Sequence, residues 1–418
     1  MTTAGPPSMK LPSPVCAATG DGEKLRISVG AAAAIWLLAV ALLMTRRLDQ
    51  VMIPQFYSEA GQIFFADAAN DGWCTLWHQY LGYHHLVPRI IAVLTISVPW
   101  DWMPLAYNLS TFALEAWIAM RLVTARIPPL AAIAGGIAIV GIPTNGVIFA
   151  GINCLHFVFG ALIAVNLLEP APERKGETVR RMTEMILAAF SGPEAILLAP
   201  FSIWRAVQWR KSPQALAILA GFWVGALVQL YVWLAHPRMR LVATVADLVP
   251  SVRMVADYVE CFFWRWAGVP IKPEAEWLVL TVAVGLLVLL FADRGQLFRW
   301  QAGALMLGAA IFLTAGRTVN PFWPDPFGVG ARVVYLPYVF SLWSLGWLAA
   351  GATAWRRKMI LGLMGAVLVS AATAWYGDPL GNYGWRQQVA EASIGKRSVF
   401  VTPCTPGWPC KFPVPGKR

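Results

Sequence analysis

Long apolar runs alternate with short polar connectors along the chain, and within the runs the apolar residues are continuous rather than every second position. Such runs, roughly 20 residues long, fit helices crossing a hydrocarbon core of about 30 Å, because a helix satisfies its own backbone groups in lipid. The pattern predicts a first span from Ile27 to Met44, closed by Arg46 and Arg47, then apolar segments at about 86–100, 104–122, 128–142 and 147–168. Later spans are expected at 214–235, 277–292, 301–316, 331–350 and about 359–376. The expected fold is an all-α polytopic membrane protein in three parts. Residues 1–26, rich in Pro, Gly, Ser and Ala, form a disordered cytoplasmic tail; 27–376 form the transmembrane domain, with a first external region at 45–103; and 377–418 form an external tail of loop-like or strand-like character.

Composition agrees: 58% of the 418 residues are hydrophobic and 13% charged, against about a quarter charged in soluble domains. The net charge of +11 sits in short connectors beside apolar runs, which fits the positive-inside bias and not a nucleic-acid partner. Arg174, Lys175, Arg180 and Arg181 mark one connector as cytoplasmic. With the N-terminus inside and the stretch after the first span outside, four further full crossings would leave that connector outside, so one segment must stay on one side. Segment 86–100, short and holding Pro88, Arg89 and Pro99, is the candidate; a break at 141–146, GIPTNG, is the alternative.

The next segment, MILAAFSGPEAILLAPFSIW, is interrupted at Ser191-Gly192-Pro193-Glu194 and flanked by Arg180 and Arg181 on one side and Arg205, Arg210 and Lys211 on the other. Two half-helices that return to the same side fit both features. Broken backbone at membrane depth is tolerated only under a cover of protein or beside a watery cavity. One kinked helix in a packed bundle is the competing reading.

Candidate chemistry concentrates in residues 54–89, which hold His78, His84, His85, Glu59, Asp67 and Asp71. A helix starting at Glu59 sets Gln62, Asp67 and Asn70 on or near one face and Gly61, Phe64, Phe65 and Ala68 opposite, with the aromatic face expected on the bilayer surface. A carboxylate in the first turn complements the helix dipole, so Glu59 reads equally as a cap or a catalyst. His85 and Arg89, four residues apart, open the next helix; Arg89 there needs an anion or carboxylate, and its planar fork suits phosphate, unless it snorkels to the interface. His84 and His85 are adjacent and point different ways, and the six cysteines have no ligand spacing, so neither a metal site nor a cofactor is expected. Asn108 and Glu115 share a face of an apolar helix, where Glu115 reads as a functional acid or as half of an internal ion pair. Arg332 opens a late span one turn before Tyr335. Arg253, Asp257 and Glu260 share a face of an expected interfacial helix in the 236–276 loop, and Cys404 and Cys410 form a disulfide only if loop geometry and an oxidising compartment allow.

This order of parts resembles the C-type glycosyltransferase superfamily (GT-C), polytopic enzymes that use polyprenyl-phosphate sugars. Locally it is similar to a group of uncharacterised bacterial members. The residues that carry the likeness are Glu59-Ala60-Gly61, Gly82-Tyr83-His84-His85-Leu86-Val87-Pro88-Arg89, Ser191-Gly192-Pro193, and Arg332-Val333-Val334-Tyr335-Leu336-Pro337; Thr405-Pro406-Gly407-Trp408 is a looser echo. The chain departs at Ala60, where those members carry a second acid. The resemblance implies a GT-C-like helical bundle in a bacterial inner membrane, with interfacial helices in its first external loop. It also implies transfer of a sugar from a polyprenyl-phosphate donor at the external face, with membrane lipid as the other partner. Glu59 is then the catalytic base, and Arg89, Arg332, His85, Tyr83, Asp67 and Tyr335 are the substrate-binding set. Two other readings stay open: a transporter or flippase for a lipid-linked or small anionic solute, and a scaffold that has lost catalysis.

Overall fold

The computed structural model describes residues 27–56, 59–142, 147–236, 258–259, 262, 298–319, 331–376, 381–382, 384–394, 399–405 and 408–413, and these are mostly helical. The 1–26 tail, the 277–292 span and the Arg253–Asp257–Glu260 face lie outside the described residues. Among the described residues, three helices are long and apolar enough to cross a membrane: Val29–Arg46, Pro213–Ala235 and Arg332–Gly351. The first two leave apolar side chains bare, with Leu37 59%, Leu38 61%, Leu227 56% and Leu234 61% exposed, which is the surface a lipid would cover.

In chain order the helices begin with α1 (Val29–Arg46) and α2 (Leu48–Met52). A π-helical stretch over Ala60–Phe65 runs into α3 (Ala66–Asp71), and α4 spans Leu86–Thr95. Then follow α5 (Met103–Val123), α6 (Pro129–Gly141), α7 (Val147–Ala150), α8 (Leu155–Leu168), α9 (Lys175–Ala189), α10 (Glu194–Trp209) and α11 (Pro213–Ala235). After them come α12 (Arg299–Val319), α13 (Ala331–Gly351), α14 (Ala354–Thr373) and α15 (Trp385–Ile394). Local chemistry sets several starts. Ser28 Oγ accepts the Ala31 N–H at 3.2 Å and Ser212 Oγ the Ala215 N–H at 3.3 Å, while Pro104, Pro129 and Pro213 occupy first-turn positions where a missing N–H does no harm.

Segment 86–100 forms the ten-residue α4, about 15 Å long and too short for a full crossing. The apolar stretch 147–168 differs from one continuous span: α7, a 3₁₀ turn at Ile152–Cys154 and α8 replace it, because Gly151 leaves the helical region. The tail differs in part from the expected loop or strands. It carries the helix α15 as well as a hairpin of β3 (Val399–Thr405) and β4 (Trp408–Pro413). Trp385 docks α15 on the polar stretch between α1 and α5: it is buried, its indole N–H donates to the Trp100 carbonyl at 2.7 Å and its ring meets Phe56 edge-on. The hairpin register sets Cys410 opposite Thr402, and the side chains of Cys404 and Cys410 lie outside the described residues.

The Ser191–Glu194 break separates α9 from α10, and both helices return to one end of α8. Arg181 donates to the Asn166 and Pro170 carbonyls at 2.5 and 2.7 Å, and Arg205 donates to the Leu168 and Glu169 carbonyls at 3.2 and 2.5 Å. These are the carbonyls a helix C-terminus leaves unpaired. A single kinked helix would carry Arg181 and Arg205 to opposite ends, so the two half-helices form a hairpin. At the same end Arg121 of α5 bridges Glu169 at 2.6 Å and Glu184 of α9 at 3.1 Å. Asn166 completes the network, donating to Glu184 at 2.9 Å and accepting from Arg181 at 3.2 Å. All five side chains are buried, so each charge depends on its partners.

Removing Arg121 would strand two carboxylates. Arg121→Ala is expected to destabilise the purified protein by about 3–5 kcal/mol, measured as the shift in its unfolding midpoint in detergent. Burial by itself raises the Glu169 carboxyl, but Arg121, with Arg181 and the Arg126 backbone N–H, outweighs it and brings the group down to about 2. With a folded pKa below the ordinary 4.5, the unfolded chain takes up the extra proton. The stabilisation from Glu169 is thus complete above that value and fades as pH falls toward 2; thermal unfolding across pH 3–7 should show no Glu169-dependent loss until below about 4.5. At the break, a Cβ on Gly192 would run into the Glu194 carboxylate and the His156 side chain. Gly192→Ala should cost about 1–3 kcal/mol by the same assay, whereas Gly176→Ala, where a Cβ meets nothing, should not.

Candidate functional site

The break also anchors the polar stretch that runs into α4. The Leu86 N–H donates to the Phe190 carbonyl at 3.1 Å and the Val87 N–H to Ser191 Oγ at 3.2 Å, so the start of α4 sits directly on the gap between α9 and α10. Before it, strands Gln79–Tyr80 and Tyr83–His84 form a two-residue hairpin whose turn has positive φ at both Leu81 and Gly82. That requirement explains Gly82 and makes Leu81 the strained partner. Gln229 of α11 clasps the hairpin by accepting the His84 N–H at 2.8 Å and donating to its carbonyl at 3.0 Å.

Together these contacts bring Tyr83 and His85 onto the two half-helices. Tyr83 lies 4.4 Å from His85, and His156 of α8 is 5.7 Å from each, ring centre to ring centre. His156 Nδ1 is 2.6 Å from Glu194 Oε1, a spacing at which the ring nitrogen donates to the carboxylate. Glu194 opens α10 and so also meets the positive end of a helix dipole. Burial, then the charges of His156 and Arg89, hold the His85 imidazole well below its usual range, so it is neutral at pH 7. Burial, then the Glu194 charge, pushes the Tyr83 phenol well up. His85 is buried with neither ring nitrogen hydrogen-bonded, and Glu194 Oε2 and Asn153 Oδ1 are in the same condition. Buried polar atoms without protein partners are uncommon and call for a cause such as a bound water or a functional role.

Glu59 lies beside this cluster. Asn153 donates to Glu59 Oε2 at 2.9 Å, and Arg332 Nη1, at the start of α13, is 3.9 Å from Glu59 Oε1. The Glu59 carboxylate is nearly buried, while the Arg332 side chain is 39% exposed. Tyr80 is close enough that, after burial, the Glu59 charge contributes to holding its phenol up at about 12. Asn153 and the His156–Glu194 pair had no motif to announce them. The polar residues interrupting the apolar run 147–168 were the available signal, and Gly160, where a Cβ would press on Glu194 and Leu336, records how tightly α8 packs there.

The remaining expected residues fall elsewhere. Arg89 is wholly buried and donates to Asp67 Oδ2 at 2.9 Å and to Thr75 Oγ1 at 2.5 Å. Its nearest anion is therefore Asp67, and it neither snorkels nor pairs with Glu59. Asp67 correspondingly faces Arg89. Tyr335 is buried and donates to the Ile139 carbonyl at 2.7 Å, joining α13 to α6. The aromatic face of the Glu59 helix does not rest on the bilayer surface as expected. Phe64 and Phe65 are fully buried, against His85 and Tyr80 for the former and Phe56 and Trp100 for the latter. The π stretch accounts for this, since its wider turn changes which side chains share a face. Glu115, deep in α5, is buried with both oxygens unbonded and has Arg46 as its electrostatic neighbour. Arg46 in turn donates to the Val140 and Ile142 carbonyls at the end of α6. No protein-family model matches this chain, no curated protein matches it in sequence, and no solved structure matches it in fold.

Proposed function

We propose that the chain is a multi-pass membrane transferase of GT-C type in a bacterial inner membrane, moving a sugar from a polyprenyl-phosphate donor to an acceptor hydroxyl at the external face. One observation carries the reading: the Glu59 carboxylate is held through one oxygen by Asn153 and faces Arg332 with the other, next to a cluster of buried polar atoms lacking partners. A general base must be oriented and within hydrogen-bond reach of the proton it removes. Asn153 fixes the carboxylate, and the 3.9 Å gap to Arg332 joins the two charges while leaving Oε1 a direction in which to accept an acceptor O–H. As that oxygen attacks the anomeric carbon, its proton passes to Glu59 and the bond from carbon to the phosphate oxygen breaks. Arg332 then stabilises the charge gathering on the departing polyprenyl phosphate. Tyr83 and His85, neutral and in ring contact with one another in the neighbouring cluster, supply hydrogen bonds to the sugar. Arg89 and Asp67 shape the external layer and stand outside the reacting pair.

The test is turnover of a labelled polyprenyl-phosphate hexose by the full chain in nanodiscs, read as release of free polyprenyl phosphate. Glu59→Gln should slow release about 100-fold or more, and Arg332→Lys, which loses the planar fork, roughly tenfold. Wild-type release by Glu59→Gln would end the base assignment.

A second reading, transport of a small anionic or lipid-linked solute, is favoured by Glu115 alone, a buried acid with no hydrogen-bond partner in the middle of a long helix. On that reading, proteoliposome flux should vanish in Glu115→Gln and survive in Glu59→Gln; the transferase reading expects no such flux.

A further inference from the structure

Asp67, Asp71 and His78 each offer one ligand atom, and the three atoms lie within 4.8 Å of one another. We propose that these three residues bind a divalent transition-metal ion of the zinc class on the external face of the first polar region. Asp67 and Asp71 are one turn apart on α3, so their carboxylates share a side of it. Gly72, with φ at +55°, reverses the chain, and the 3₁₀ turn Gly72–Trp77 brings His78 back over that side. His78 Nδ1 is 3.5 Å from Asp67 Oδ2 and 3.9 Å from Asp71 Oδ2. Around a tetrahedral ion with bonds of about 2.0–2.1 Å, ligand atoms sit about 3.3 Å apart, so the two His78 spacings are near that value and the set closes as the three atoms, already within 4.8 Å of one another, draw in. One imidazole and two carboxylates suit zinc or cobalt better than magnesium, which prefers oxygen and its own water.

Beneath the ligands the site is built rather than incidental. Arg89, wholly buried, donates to both Asp67 and Thr75, and the Thr75 carbonyl accepts the His78 N–H at 3.0 Å. One guanidinium thereby orients a ligand from α3 and the turn carrying the ligand from the other side, as outer-shell partners do in metal sites. The side chains of Asp67, Asp71 and His78 remain 31%, 46% and 40% exposed, leaving coordination positions for water or a substrate oxygen. This site is independent of Glu59 and of the transferase reading.

Binding of cobalt(II), followed by its visible absorption, and of zinc, by equilibrium dialysis, tests this on the full chain in detergent. Cys74, an exposed free thiol on the same turn, is replaced by Ser throughout so that thiol ligation cannot contribute. One equivalent of metal should bind, and His78→Gln and Asp71→Asn, both at exposed positions that leave the fold intact, should each weaken binding at least tenfold. Thr75→Val, which removes only the hydroxyl that Arg89 contacts, should weaken it about 10–100-fold. Stoichiometry and affinity unchanged in both ligand variants, or no binding by the Cys74→Ser protein at micromolar metal, would overturn the assignment.

Discussion

The buried charge network at the C-terminal end of α8 is the constraint on which the rest of the arrangement depends. Arg121, Glu169, Glu184, Arg181 and Asn166 cannot be separated without leaving a charge or an amide in a dry interior. Because these groups come from α5, α8 and α9, and Arg205 of α10 adds its bonds to the same carbonyls, the network forces the α9–α10 pair into a hairpin. The hairpin tip then has to lie at depth, and its unpaired backbone must find partners there. The Phe190 carbonyl finds one in the Leu86 N–H, and the Ser191 hydroxyl adds a bond from the Val87 N–H.

That contact converts a loop motif into a site. With α4 seated on the break, Tyr83 and His85 face His156 and Glu194, and the 3₁₀ turn at Ile152–Cys154 points Asn153 at Glu59. The two arginines that look alike in sequence part company here. Arg332 reaches Glu59 from the start of a helix with part of its side chain in the open, whereas Arg89 lies under α3 and is committed to Asp67 and Thr75. One stands beside the Glu59 carboxylate, and the other organises the loop above it.

Hydrophobic runs, charge clusters and helix breakers were readable because they report local free energies: transfer to lipid, the bias of basic residues and the missing N–H of proline. Hence the helical class, the short α4 and the break at Ser191–Glu194 could be inferred from residues alone. The π stretch was not, since an extra residue per turn leaves no mark on composition, and with it went the expected bilayer-facing side of Phe64 and Phe65. The helix in the tail escaped for a related reason: α15 is short and polar on average, and Trp385 holds it by docking on Phe56 and Trp100 rather than by its own periodicity.

By itself, then, the sequence determined the helical class, the break at Ser191–Glu194 and which polar residues are set among apolar neighbours, all properties of neighbours along the chain. Tertiary structure alone decided which of those polar residues meet. Asn153 with Glu59, His156 with Glu194, Arg89 with Asp67 and the grouping of His78 with two aspartates are long-range or turn-dependent pairings. They exist because a buried charge or amide must find a partner somewhere, and only the packing of the whole bundle selects which one.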